Sequence, residues 1–272
     1  MALRRPHNRL QWLTPASFTG FCGLLTVAGL LLLSARSPLA LPLADAAAGA
    51  GYPGLAVERY DAIANSSPWV DQQQDALWRA GNVLDVSLQD STGSRTRFRR
   101  LSVMEDSPYR ARALDRVGRI LRHREHRPEA AAIALTDSWK ADPLAAEAPD
   151  RLRRAAAAFE EAGEITAALD ALESLEIGYP SARGRAQLSR GVLLLAQDDE
   201  AAALAAYRDA LEGDDPSVHA AARLGSATCL ERLGNLDEAL AELDAADLPE
   251  DVFDARAGSI RARILTDELV DE

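Results

Sequence analysis

Few residues in this chain carry side chains that could do chemistry, and their neighbours bound what that chemistry could be. His123 and His126 stand three apart, a spacing that could bind a metal. No carboxylate or cysteine trio accompanies them, and Arg122, Arg124 and Arg127 would repel a cation. The alternative is a solvated helix end whose cations sit near the negative pole of the helix dipole. Arg112, Arg116, Arg119 and His123 share a helical face opposite Leu114, Val117 and Leu121. Such a basic face is either simply solvated or meets an anionic partner. No Ser-His-Asp context, glycine-rich phosphate loop or zinc-ligand spacing occurs. The expectation is a protein that is not an enzyme, with no catalytic residue, no cofactor and no metal. Cys22 lies in an apolar segment and Cys229 inside an expected helix, so the two cysteines make no disulfide framework.

The elements that position these residues repeat. Gly191, Leu194, Ala203, Tyr207 and Ala210 are followed 36 residues on by Ala227, Leu230, Ala239, Leu243 and Ala246. They are preceded 35 residues back by Ala156, Phe159, Ala168, Leu172 and Leu175, with Pro180 closing that unit. Small residues let two helix axes approach while the larger ones fill the gap beside them. One such hairpin cannot bury its apolar face alone, so stability arises between stacked neighbours. On these residues the chain resembles the tetratricopeptide repeat family. The resemblance implies an all-α fold: a right-handed superhelical array of antiparallel helix pairs, a solenoid of about five repeats, after one transmembrane helix.

Degraded copies of the pattern precede the clear ones. Ala56, Tyr60, Ile63 and Pro68 match a second half, and Leu77, Gly81 and Leu84 match the next first half. Asp90–Ser94 is a turn cluster before Phe98, Leu101 and Pro108. Leu114, Val117, Gly118 and Leu121 give another first helix. Pro128 and Ala130 follow it, with Ala134 and Asp137 where an aromatic and a small residue belong. After Pro249, the stripe Phe253, Ala257, Ile260 and Ile264 is that of a capping helix.

The expected organisation is then a cytoplasmic N-terminus at 1–17, a transmembrane anchor or signal segment at 18–35, a linker at 36–51, degenerate repeats at 52–148, three clearer repeats at 149–251 and a capping helix at 252–272. The charge-free stretch Leu10–Ala35 is 26 residues, long enough for a bilayer of roughly 30 Å. Arg4, Arg5 and Arg9 before it place the N-terminus inside. The expected location is the inner membrane, single-pass, with the C-terminal domain extracytoplasmic; the alternative is export after cleavage.

Net charge is −12, unevenly spread: residues 91–127 carry +7 and residues 128–272 carry −18. An acidic array argues against nucleic acid, which needs a clustered positive surface. By the resemblance, the first helices of successive repeats line a groove that would present Arg153, Ala157, Glu160, Leu188, Val192, Leu195, Leu224, Thr228 and Glu231. Its apolar floor and acidic rim suit a protein or peptide segment carrying Arg or Lys. The competing reading is that Leu188, Val192 and Leu195 pack in the core. Glu173-Ser174 is similar to the pair at the catalytic glutamate of lytic transglycosylases, but it lies inside a repeat helix and the lysozyme-like domain around it is missing. The functional expectation is a scaffold in envelope assembly, transport or quality control. The alternative is a non-catalytic arm working with a cell-wall enzyme.

Overall fold

A computed structural model describes residues 35–213, 215–246 and 249–270. Among these residues it contains thirteen α-helices, one short 3-10 turn and no strand. In order the helices are α1 (Ala40–Gly49), α2 (Pro53–Ser66), α3 (Val70–Val86), α4 (Ser91–Ser102), α5 (Arg110–His123), α6 (Pro128–Ala141), α7 (Ala148–Glu161), α8 (Ile165–Gly178), α9 (Arg183–Ala196), α10 (Glu200–Ala210), α11 (Pro216–Arg232), α12 (Leu236–Asp244) and α13 (Glu250–Val270). They form six pairs and a final helix, and the described residues divide into two compact units between Ala113 and Leu114.

The pairs are built by the small-against-large packing that the sequence pattern requires. A Cβ on Gly81 would come within 2.6 Å of the Phe98 ring, and one on Gly191 within 2.7 Å of the Tyr207 ring. A Cβ on Gly118 would lie 2.6 Å from Leu135. Real side chains cannot approach so closely, so glycine is what allows these three pairs to close. The third contact corrects the expected register of α6. Leu135 takes the large-residue position assigned to Ala134, and Ser138 takes the small position assigned to Asp137, because the turn before α6 is one residue longer.

That turn belongs to a series. A residue with positive φ stands once between the two helices of every pair: Gly51, Gln89, His126, Gly163, Asp198 and Gly234. The next residue donates its N–H back to a carbonyl of the preceding helix, as Glu164 does to Phe159 at 2.9 Å, Asp199 to Leu194 at 3.0 Å and Asn235 to Leu230 at 2.9 Å. This is the left-handed helix stop that satisfies terminal carbonyls. Asp90 and Asp199 then cap the new helix by accepting from Gly93 N–H at 2.9 Å and Ala202 N–H at 3.1 Å.

Two expectations are corrected. The stretch 36–51, read as a linker, contains α1, whose Ala44 is fully buried and whose Asp45 accepts a hydrogen bond from Tyr60 Oη at 2.6 Å. Its sequence, ALPLADAAAG, is mostly alanine and shows little of the repeat pattern, which hid the first helix of this pair. The single-pass, inner-membrane location is the second. No helix among the described residues is long and apolar enough to cross a membrane. Even the 21-residue α13 carries Asp251, Asp254, Arg256, Arg261 and Arg263 along its length. Residues 18–34 of the expected span lie outside the described residues.

Candidate functional site

The expected groove residues lie on α7, α9 and α11, all in the second unit. On α9, Gly191 and Leu193 are buried while Val192 between them is 48% exposed. Leu188 and Leu195 of α9 and Leu224 of α11 are half-buried against one shared core cluster. The two readings of this surface therefore divide by residue: the three leucines are partly core, and Val192 faces out. On α7, Ala157 is half-buried and Arg153 and Glu160 are exposed, with Arg153 held 3.3 Å from Asp150.

The α11 end of the surface is engaged by the final helix. Arg256 of α13 donates through Nη2 to Thr228 Oγ1 at 2.8 Å and lies 3.7 Å from Glu231. Thr228 Oγ1 also donates to the Leu224 carbonyl at 2.9 Å. Thr228 and Glu231 thus serve the packing of α13 as well as the surface.

The three arginines of the expected basic face have different surroundings. Arg112 is exposed, with its guanidinium carbon 4.6 Å from the centre of the Trp78 ring, a cation–π contact. Arg116 is half-buried, and Arg119 is exposed. His123 and His126 are both exposed, and His126 is the left-handed residue of its turn. Ser174 donates to the Asp170 carbonyl at 2.9 Å while Glu173 faces solvent on α8.

Sequence reasoning missed a polar network in the first unit. Asp45 of α1 accepts from Tyr60 of α2 and from Arg79 of α3; Arg79 lies 3.6 Å from Asp75, which accepts from Tyr109 Oη at 2.6 Å. Tyr109 stacks on Trp78 with ring centres 5.3 Å apart and planes 19° apart. Burial and the Asp45 partner push the Tyr60 phenol well above its usual pKa, so it stays a neutral donor. The readable signal was spacing: Asp45 and Arg79, Asp75 and Tyr109, and Asp198 and Arg232 are each bonded across 34 residues, about one repeat.

A cleft of about 730 Å³ was also missed. Leu175, Ala210 and Val218 are among the residues that line it, and its charged residues are Arg153, Arg183 and Arg185 with Asp150, Asp209, Glu212 and Asp215. Arg183 lies 3.3 Å from Glu212, and Arg185 2.8 Å from Asp215. Hydrogen bonds from Ser217 and Arg185 hold the Asp215 carboxyl down to about 2.

Paired helices, glycines under aromatic rings and a stop once per pair are the anatomy of a helical repeat, and comparison with known proteins gives the repeat its name. Residues 194–264 match the tetratricopeptide repeat family. That stretch is similar to a tetratricopeptide repeat. A tetratricopeptide repeat protein from Parabacteroides merdae has a similar fold, with a TM-score of 0.55 at 22% identity over 70% of this chain and 72% of that one. MamA aligns with a TM-score of 0.46 at 18% identity, over 62% of this chain and 92% of its own. A thermophilic tetratricopeptide protein from Thermus thermophilus aligns at 0.42 and 22% identity, over 70% and 99%. Likeness of fold rests on the first of these. No curated protein matches the chain.

Proposed function

We propose that this chain is a protein-binding scaffold that holds a partner segment on the α7–α9–α11 surface of its second unit. The observation that supports this is Val192: an apolar side chain, 48% exposed, in the middle of a helix whose neighbours on both sides are buried. Leu188, Leu195 and Leu224 extend the apolar surface around it, and Glu160 supplies an exposed carboxylate at its α7 side. A segment with apolar residues next to Lys or Arg fits that chemistry. The tetratricopeptide fold supports a role in protein–protein interaction rather than catalysis.

The test uses peptides selected from a random library on the full chain. Val192→Glu should leave the melting temperature nearly unchanged, since exposed substitutions cost less than about 0.5 kcal/mol. It should weaken peptide binding by at least about tenfold, because a carboxylate is then desolvated against apolar groups. Peptides that bind Val192→Glu as well as the parent would place binding elsewhere and sink the proposal for this surface.

A further inference from the structure

The surface around Val192 continues onto α5, and the register of the pairs shows how. The first helices of the second unit bury a small residue at the same place in each pair: Gly118, Ala156, Gly191 and Ala227. The residue after it is exposed or half-buried every time: Arg119, Ala157, Val192 and Thr228. These four form one row, because the helices that carry them lie side by side. Arg122 of α5 bonds Glu161 of α7, α7 and α9 share a core cluster through Leu152 and Leu193, and Leu188 of α9 and Leu224 of α11 pack on another. Arg119 therefore stands on α5 where Val192 stands on α9.

Charge distinguishes the α5 end of this row. Arg119 is exposed and has no ion pair among the described residues, and His123, one turn on, is exposed as well. Residues 114–127 carry five arginines against Asp115 and Glu125, whereas residues 128–272 carry −18. Across from α5, Glu161 is already held by Arg122, and Asp115 by Arg154. The α5 end is thus the positive side of an otherwise acidic unit. On α7, between Arg119 and Val192, Glu160 is an exposed carboxylate whose charge reaches Arg122.

We infer that the partner segment carries its charges in a fixed order: a carboxylate on Arg119 and His123 of α5, a Lys or Arg on Glu160 of α7, and an apolar residue on Val192 of α9. This rests on the partner surface proposed above and extends it by one helix. A guanidinium without a carboxylate of its own offers its fork of donors to one from outside. The order along the segment follows from the order of the helices. Helix axes pack about 8–10 Å apart, so α5 to α9 is on the order of 20 Å, or roughly six residues of extended chain. Complementary charges of this kind fix the register of a bound segment and reject segments with the opposite order.

The test uses peptides selected from a random library on the full chain. Peptides that lose binding to Val192→Glu should carry Asp or Glu on one side of their apolar residue, and Arg119→Glu should weaken them at least about tenfold while melting like the parent. Changing that acid to its amide should weaken the peptide on the parent and change nothing on Arg119→Gln, a cycle that also serves if Arg119→Glu folds poorly. Arg99→Glu, the same charge change at an exposed arginine of α4, should leave binding as it is. Peptides that lose Val192→Glu but bind Arg119→Glu like the parent would overturn this inference and leave the Val192 surface standing. Peptides indifferent to both substitutions would remove both. Equal weakening by Arg99→Glu, or poly-glutamate competing as well as a selected peptide, would reduce the contact to charge alone and overturn the stated order.

Discussion

Tyr207 shows how much one residue can decide in a repeat. Its ring is 2% exposed and sits against two glycines at once, Gly191 of its own pair and Gly225 of the next. Burial pushes its phenol up to about 12, so it is a neutral spacer at neutral pH. Gly225→Ala would put a methyl carbon 2.5 Å from the ring and should cost about 1–3 kcal/mol in denaturant unfolding. An unchanged midpoint would mean that the ring can move aside. The left-handed turn residues give a second test, free of packing, because a Cβ on Gly163 or Gly234 meets nothing within 4 Å. Gly163→Ala should therefore lose about 1–2 kcal/mol from backbone conformation alone. Gln89→Gly should gain a few tenths to about 1 kcal/mol, since strain relieved in the fold outweighs the added freedom of the unfolded chain. A Gly163→Ala that costs nothing, or a Gln89→Gly that destabilises, would contradict the positive φ at these residues.

Helices of successive pairs are joined by polar clasps as well as by core. Arg122 of α5 grips Glu161 of α7 with Nε–Oε2 at 2.9 Å and Nη2–Oε1 at 2.5 Å, and one heptad earlier Asp115 accepts from Arg154 at 2.8 Å. The Arg122 hydrogen bond holds the Glu161 carboxyl below its usual range. A carboxyl with a lowered folded pKa stabilises the fold above its unfolded pKa, and that contribution is lost as pH falls through the folded value. Arg122→Ala should cost about 0.5–1 kcal/mol near neutral pH, the pair being partly exposed, and progressively less toward pH ~3. A cost that stays constant over that range would assign the loss to packing. None of these clasps was read from the sequence, although the three clear repeats were. An alanine, a glycine and a tyrosine at fixed spacing announce a close helix approach by their sizes. A single arginine and glutamate 39 residues apart announce nothing until the register is known. The same limit hid α1, and it let Val192 and Leu188 look equivalent although only the first is open.

At the scale of the molecule, neighbouring pairs within each unit pack on one another, so stability there is a sum of local interfaces rather than the property of one core. Damage should then stay local. In amide exchange, Gly225→Ala should speed opening in α9–α12, which adjoin Tyr207, and leave α6 nearly as protected as in the parent. Uniform acceleration through the second unit would mean that the unit opens all at once. The turns add something to this picture. Two of them have four residues and four have three, yet each places a left-handed residue just before the next helix. Phe98 and Leu135 therefore meet their glycines after 17 residues and Tyr207 after 16, with the same contact made. The chain is resynchronised at every turn, so a residue gained or lost there is corrected within one pair and never passed down the line as an error of frame.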